Sequence, residues 1–142
     1  MVPLVSPPRK RGSSTDRRAP FIVFADDSLD ARTMYGEYLV EAGYQVATAA
    51  DGNEAVKLAL TVAPELIVMD MQMPGLDGWE AARLMQSYRP TRPIPIIALS
   101  GHHDAVSVQR AMAAGCSRFV RKPCAPEELV RNIESTLRHQ ES

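Results

Sequence analysis

Leu66-Ile67-Val68-Met69-Asp70 runs four apolar residues straight into a carboxylate, and Met71-Gln72-Met73-Pro74-Gly75-Leu76-Asp77-Gly78 follows. Four consecutive apolar residues are too few for a helix and read as a strand buried on both faces. Pro74, Gly75 and Gly78 then force a loop. An aspartate at the carboxyl end of such a strand lies where open α/β sheets bind their ligands.

Two further strands end in related chemistry. Phe21-Ile22-Val23-Phe24-Ala25 leads into Asp26-Asp27-Ser28, and Ile94 to Leu99 leads into Ser100-Gly101. Between and beyond them the periodicity switches repeatedly. Leu29 to Ala42 reads as a helix with Met34, Tyr35, Tyr38, Leu39 and Ala42 on its core face, capped by Asp27 or Ser28 and stopped by Gly43. Tyr44 to Ala49 is a strand, and Asn53 to Ala63 a helix with Ala55, Val56, Ala59, Leu60 and Ala63 as its stripe. A third helix is expected from Gly78 to Ser87 through Trp79, Ala82, Leu84 and Met85, and a fourth from Asp104 to Ala114. Phe119-Val120 form a short fifth strand before Lys122-Pro123. The last helix runs from Pro126 to Arg138, with Leu129, Val130, Ile133 and Leu137 inward. Strand and helix thus alternate five times, which predicts a parallel sheet covered by helices on both faces.

Composition agrees with one domain. The chain has 142 residues, 45% hydrophobic and 23% charged, with a net charge of −1. Residues 1–19 hold Arg9, Lys10, Arg11, Arg17 and Arg18 against Asp16 alone, so this leader carries +4 and the remainder −5. With Pro3, Pro7 and Pro8 and no aromatic residue, the leader has too little apolar surface to order itself. It is expected to be a solvated segment, with the domain proper at 20–142; an arm for nucleic acid is the lesser reading. No apolar run approaches the roughly 18 residues of a membrane span, and Met1 to Val5 is unlike a signal peptide. Cys116 and Cys124 lack metal-ligand spacing and form no disulfide framework. The expected location is cytoplasmic. His102 and His103, adjacent in a loop, read as solvated rather than as a ligand pair.

A parallel sheet gathers the ends of its strands on one edge. With the first strand beside the third, Asp26, Asp27 and Asp70 converge there with Ser100 and Lys122. Three carboxylates in one crevice repel one another and need a cation. Oxygen-only ligands with room for water suit Mg²⁺. The Lys122 ammonium and the Ser100 hydroxyl complete a site fit for a phosphoryl group on Asp70.

These residues, together with Met73-Pro74-Gly75, Asp77-Gly78, Ser100-Gly101 and Lys122-Pro123, resemble the receiver domain of two-component response regulators over about residues 20–138. The resemblance implies a flavodoxin-like, doubly wound sheet of order 2-1-3-4-5 with five helices. It makes Asp70 the phosphoacceptor, supplied by a histidine kinase or histidine phosphotransfer protein. Asp27, Asp70 and the Gln72 backbone carbonyl would bind Mg²⁺ directly, and Asp26 through water. Lys122 would pair with the phosphoryl oxygens and Ser100 hydrogen-bond them. Gln72 and His102, two positions beyond Asp70 and Ser100, would flank the water that removes the phosphoryl group. Phe119 takes the place of the family's switch aromatic, and is equally readable as a plain core residue. A downstream protein partner would meet the face of helix four, strand five and helix five, with Val108, Ala111, Met112 and Val120. The protein would be no enzyme beyond its own phosphorylation and dephosphorylation.

Ser100 stands where threonine is frequent and keeps the hydroxyl, Phe119 cannot donate the hydrogen bond a tyrosine would, and Trp79 adds a bulky aromatic near the site. A haloacid-dehalogenase-like hydrolase would need a second aspartate at the position of Gln72. The alternative is a receiver-like adaptor never regulated by phosphorylation. Since the chain ends soon after the last helix, a stand-alone receiver without an output domain is expected.

Overall fold

The computed structural model describes residues 18–102 and 104–141. Residues 1–17 of the leader, His103 and Ser142 lie outside that set. The elements are β1 (Phe21–Ala25), α1 (Leu29–Glu41), β2 (Gln45–Ala49), α2 (Gly52–Val62), β3 (Leu66–Asp70), α3 (Gly78–Ser87), β4 (Ile96–Ser100), α4 (Ala105–Ala113), β5 (Arg118–Arg121) and α5 (Pro126–Glu141). The five strands form one sheet in the order β2-β1-β3-β4-β5, and every pair is parallel. The flavodoxin-like order expected from the sequence is therefore the one found.

Alternation along each strand builds two cores. Val23, Ala25, Ile67, Met69, Ile96 and Ala98 face α2, α3 and α4, packing with Ala55, Ala59, Ala82, Met85 and Ala111. Ile22, Phe24, Leu66, Val68, Ile97 and Leu99 face the other way, onto Tyr35 and Leu39 of α1 and Leu129 and Ile133 of α5. All five residues of β3 are buried, as befits the strand in the middle of the sheet. The starts of α1, α2, α3 and α4 are each capped by a short polar side chain. Ser28, Asp51, Asp77 and Asp104 accept from the amides of Ala31, Glu54, Glu80 and Ser107 at 2.8–3.2 Å.

Several expected boundaries and faces shift for physical reasons. β4 begins at Ile96 rather than Ile94, because Pro93 and Pro95 lack the amides a ladder needs; Ile94 is nonetheless buried. The α1 core face is Arg32, Tyr35, Gly36 and Leu39, while Met34, Tyr38 and the C-cap Ala42, expected inside, are exposed. Arg32 displaces them because its guanidinium has a buried partner, the Asp26 carbonyl, to which Nη1 donates at 2.9 Å. Leu60 and Leu84 likewise point outward, and Ala63 is an exposed left-handed C-cap. The apolar stripes of α2 and α3 are narrower than composition suggests.

Candidate functional site

Parallel strands in this order deliver β1, β3, β4 and β5 to a common edge, and the chain places a functional group just at or beyond each. Asp26 and Asp27 follow β1, Asp70 and Ser100 end β3 and β4, and Lys122 follows β5. Carboxylate oxygens of Asp26, Asp27 and Asp70 all lie within 4.8 Å of one another. Asp26 and Asp70 are buried and Asp27 is exposed. Lys122 crosses from β5 to both buried partners, its Nζ 3.1 Å from Asp26 Oδ2 and 3.2 Å from Asp70 Oδ2.

The two buried carboxylates are held alike. The other oxygen of each accepts a backbone amide two residues on, Ser28 N to Asp26 Oδ1 at 2.9 Å and Gln72 N to Asp70 Oδ1 at 3.1 Å. Burial pushes the Asp70 carboxyl above the usual carboxylate range, and the Asp26 charge pushes the same way. The Gln72 amide and Lys122 oppose this without cancelling it. Burial by itself would lower the Lys122 ammonium, but the Asp70 charge and the bond to Asp26 outweigh it, and the net is upward. Lys122 thus stays charged. Three carboxylates against one ammonium leave net negative charge in an oxygen-only cradle, which fits a hard divalent cation such as Mg²⁺.

Ser100 is fully buried. Its Oγ accepts the His102 amide at 3.0 Å and its carbonyl accepts the Lys122 amide at 2.8 Å, so β4 fixes both the hydroxyl and the lysine backbone. Gln72 and His102 meet each other, with Gln72 Nε2 2.5 Å from His102 Nδ1. The side chains beyond Asp70 and Ser100 therefore bridge the loops after β3 and β4. Phe119 is half-buried against the core under α4 and pairs with Ala98, two residues before Ser100. Trp79 is not part of the acidic cluster: it packs in that same core with the Arg110 guanidinium 3.9 Å from its ring centre.

Three contributions to the site went unread in the sequence. Arg32 braces the Asp26 carbonyl from α1. The Tyr35 hydroxyl donates to the Cys124 carbonyl just beyond Lys122-Pro123. Gly78 matters for space as well as for turning, since a Cβ there would lie 2.6 Å from both the Asp70 carbonyl and Met71 Cα. The glycine permits its own amide to close the loop onto the Met71 carbonyl at 2.9 Å. A glycine eight residues past a strand-end carboxylate was visible, but nothing local distinguished a close approach from an ordinary turn. Cys116 and Cys124 are buried in opposite cores, and burial raises their thiols to about 12 and about 11. Neither carries the thiolate a redox sensor uses. Among the described residues no helix is long and apolar enough to cross a membrane.

Comparison with known proteins follows the same lines. The family model for the response regulator receiver domain matches residues 22–134. A probable transcriptional regulator, ycf27, of Cyanophora paradoxa is 36% identical over 121 residues, covering 85% of this chain and 49% of that protein. The chain spans about half the length of the curated relatives it matches. The chemotaxis protein CheY4 of Vibrio cholerae superimposes with a TM-score of 0.79 at 30% identity, covering 82% of this chain and 98% of CheY4. The receiver domain of the sensor histidine kinase PA1611 of Pseudomonas aeruginosa, solved with a magnesium ion coordinated in its active-site cleft, gives 0.78 at 29% identity, covering 84% and 98%.

Proposed function

The chain belongs to the response regulator receiver domain family, and from that premise we propose that Asp70 accepts a phosphoryl group from a histidine kinase or histidine phosphotransfer protein. An Asp70 carboxylate oxygen attacks phosphorus as the phosphoimidazole N–P bond breaks; the bond's electron pair stays on the ring nitrogen, which takes a proton from solvent, giving an acyl phosphate and a neutral imidazole. The observation that carries this is the disposition of Asp70. It is a buried carboxylate with one oxygen fixed by the Gln72 amide and the other facing the Lys122 ammonium. Lys122 is placed to follow the charge onto the phosphoryl oxygens, and Ser100 to hydrogen-bond them.

Mg²⁺ would be held by Asp27, Asp70 and the Gln72 backbone carbonyl, with Asp26 acting through water, and supplies charge neutralisation at the transferring group. The test is incubation with a small phosphodonor, with and without Mg²⁺, followed by mapping of acid-labile label. Magnesium-dependent label on the peptide containing Asp70 is expected. No label, or label elsewhere, favours the adaptor reading. Residues 20–142 are taken as the signalling unit, acting in the cytoplasm where its phosphohistidine donors are. The module catalyses nothing beyond gain and loss of its own phosphoryl group.

The phosphoryl group adds about −1.5 to −2 charge. Movement of Ser100 toward it would open space for Phe119 and alter the face of α4, β5 and α5. Of the residues expected on that face Met112 is exposed and Val108 half-buried, whereas Ala111 and Val120 are buried in the two cores; Val106, not among those expected, is exposed on α4. Because the curated relatives are about twice as long, that partner is either a separate protein or a further region of the same polypeptide.

The lifetime of the acyl phosphate is assigned to the Gln72–His102 bridge. The two side chains bond each other beside Asp70 and Ser100, so an attacking water must enter past them. Gln72→Ala or His102→Ala is expected to change the decay rate by about tenfold or more, the equivalent of 1.4 kcal/mol in barrier. Magnesium affinity should hardly change, since Gln72 offers the metal only its carbonyl. Superimposable decay curves for wild type and both variants would remove the bridge from this role.

A further inference from the structure

Lys122 and Asp26 sit at the ends of strands that do not touch. β3 and β4 intervene between β1 and β5, a gap of three strand spacings or about 14 Å. The Lys122 amide is held on the Ser100 carbonyl of β4 at 2.8 Å, but no ladder hydrogen bond reaches β1, so the last part of the lysine's course to Asp26 depends also on where the β5–α5 connection is held. One face of α1 supplies the hold at both sides. Arg32 Nη1 donates to the Asp26 carbonyl at 2.9 Å. One turn on, the Tyr35 hydroxyl donates to the carbonyl of Cys124, two residues after Lys122. The Tyr35 ring is itself seated on Phe24 of β1, with centroids 5.2 Å apart. Burial raises the Tyr35 hydroxyl above its usual range, so it remains a donor.

We propose that Tyr35 is a positioning residue for the phosphoryl-transfer site. Its hydroxyl ties the β5–α5 connection to α1 and thereby sets Lys122 against Asp26 and Asp70. The proposal rests on the reading that Asp70 is phosphorylated, and it reaches beyond the residues that touch the phosphoryl group. A tyrosine kept only for packing would need its ring and not its hydroxyl. Tyr35→Phe separates the two, because the ring contact with Phe24 survives and only the bond to Cys124 is lost.

Two measurements on the full chain test it. The first is competitive acetylation of lysines by acetic anhydride, read by mass spectrometry, with exposed Lys57 of α2 as internal reference. In Tyr35→Phe the Lys122 amine should react about fivefold faster relative to Lys57, the scale of one lost hydrogen bond. The second is a double-mutant cycle on the rate of phosphorylation by a small donor. Tyr35→Phe should slow labelling about fivefold in the wild-type background and by less than about twofold once Lys122 is alanine. Unchanged Lys122 acetylation, or an equal slowing in both backgrounds, overturns the proposal and leaves Tyr35 a packing residue. A wild-type chain that takes no label defeats the phosphoacceptor reading instead, and the acetylation ratio then decides the positioning role alone.

Discussion

Asp70→Asn is expected to take up no acid-labile phosphoryl label under conditions that label the wild type fully, while unfolding at a higher temperature. Loss of label follows because an amide cannot serve as the nucleophile. The stability gain follows from the balance of forces at the end of β3. Burial and the neighbouring Asp26 charge together hold the Asp70 carboxyl above its ordinary range despite Lys122 and the Gln72 amide. The folded state therefore keeps a proton at pH values where the unfolded chain has already ionised. Stability then falls as pH rises through that window, which opens at the unfolded value of about 3.9. Asparagine has no such step. Its Oδ1 can still accept the Gln72 amide, and Lys122 retains Asp26 at 3.1 Å. The difference between variant and wild type should thus close in acid and open toward neutrality. Each 1 kcal/mol is worth roughly 2–8 °C in midpoint for domains near this size, so thermal melts at pH 4 and pH 7 without metal resolve it. A neutral-pH midpoint below wild type would mean that the Lys122–Asp70 pair outweighs the burial of the charge.

The architecture was legible because its decisive signals are local. A four-residue apolar run ending in Asp70 can be little else than a buried strand, and Asp26, Asp27, Ser100 and Lys122 follow their own strands closely enough for topology alone to gather them. The site's acidic cluster and its lysine were readable on the same ground. What stayed hidden was set by contacts between distant residues. A helical wheel ranks Met34 and Tyr38 above Arg32 for burial, and only the Asp26 carbonyl reverses that order. Tyr35 and Cys124 are 89 positions apart, and neither carries a local sign of the bond between them. Gly75 and Gly78 look alike in sequence yet serve different needs. Gly75 has φ +69 with open space around its Cβ position, whereas Gly78 would drive a Cβ into the backbone of Asp70 and Met71. Gln72 and His102 were identified as neighbours of the water path, but their bond to each other needed the loops after β3 and β4 in place.

Lys122→Ala is expected to separate metal binding from signalling. In the wild type the ammonium occupies the same carboxylate oxygens that a divalent cation would draw upon, at 3.1 and 3.2 Å from Asp26 and Asp70. Removing it leaves the three carboxylates of the cluster unopposed. Without metal the variant should lose stability, by about 1–2 kcal/mol rather than the 3–5 of a fully buried pair, because the Lys122 side chain is 33% exposed and partly screened. Magnesium should bind about tenfold more tightly or better, since two unit charges 4 Å apart at a protein surface interact by about 4 kcal/mol. The melting midpoint of the variant should accordingly rise more steeply with Mg²⁺ than that of wild type. Signalling should go the other way. With the metal and a phosphoryl mimic bound, the variant has no ammonium to draw toward the phosphoryl oxygens, and the β5–α5 connection keeps its unliganded position. Amide exchange on α4, β5 and α5 should then match the free protein, while wild type shifts. A tenfold weaker magnesium affinity would place Lys122 in support of the cation rather than in competition with it. A wild-type exchange response in the variant would show that the signal leaves the site through Ser100 without the lysine.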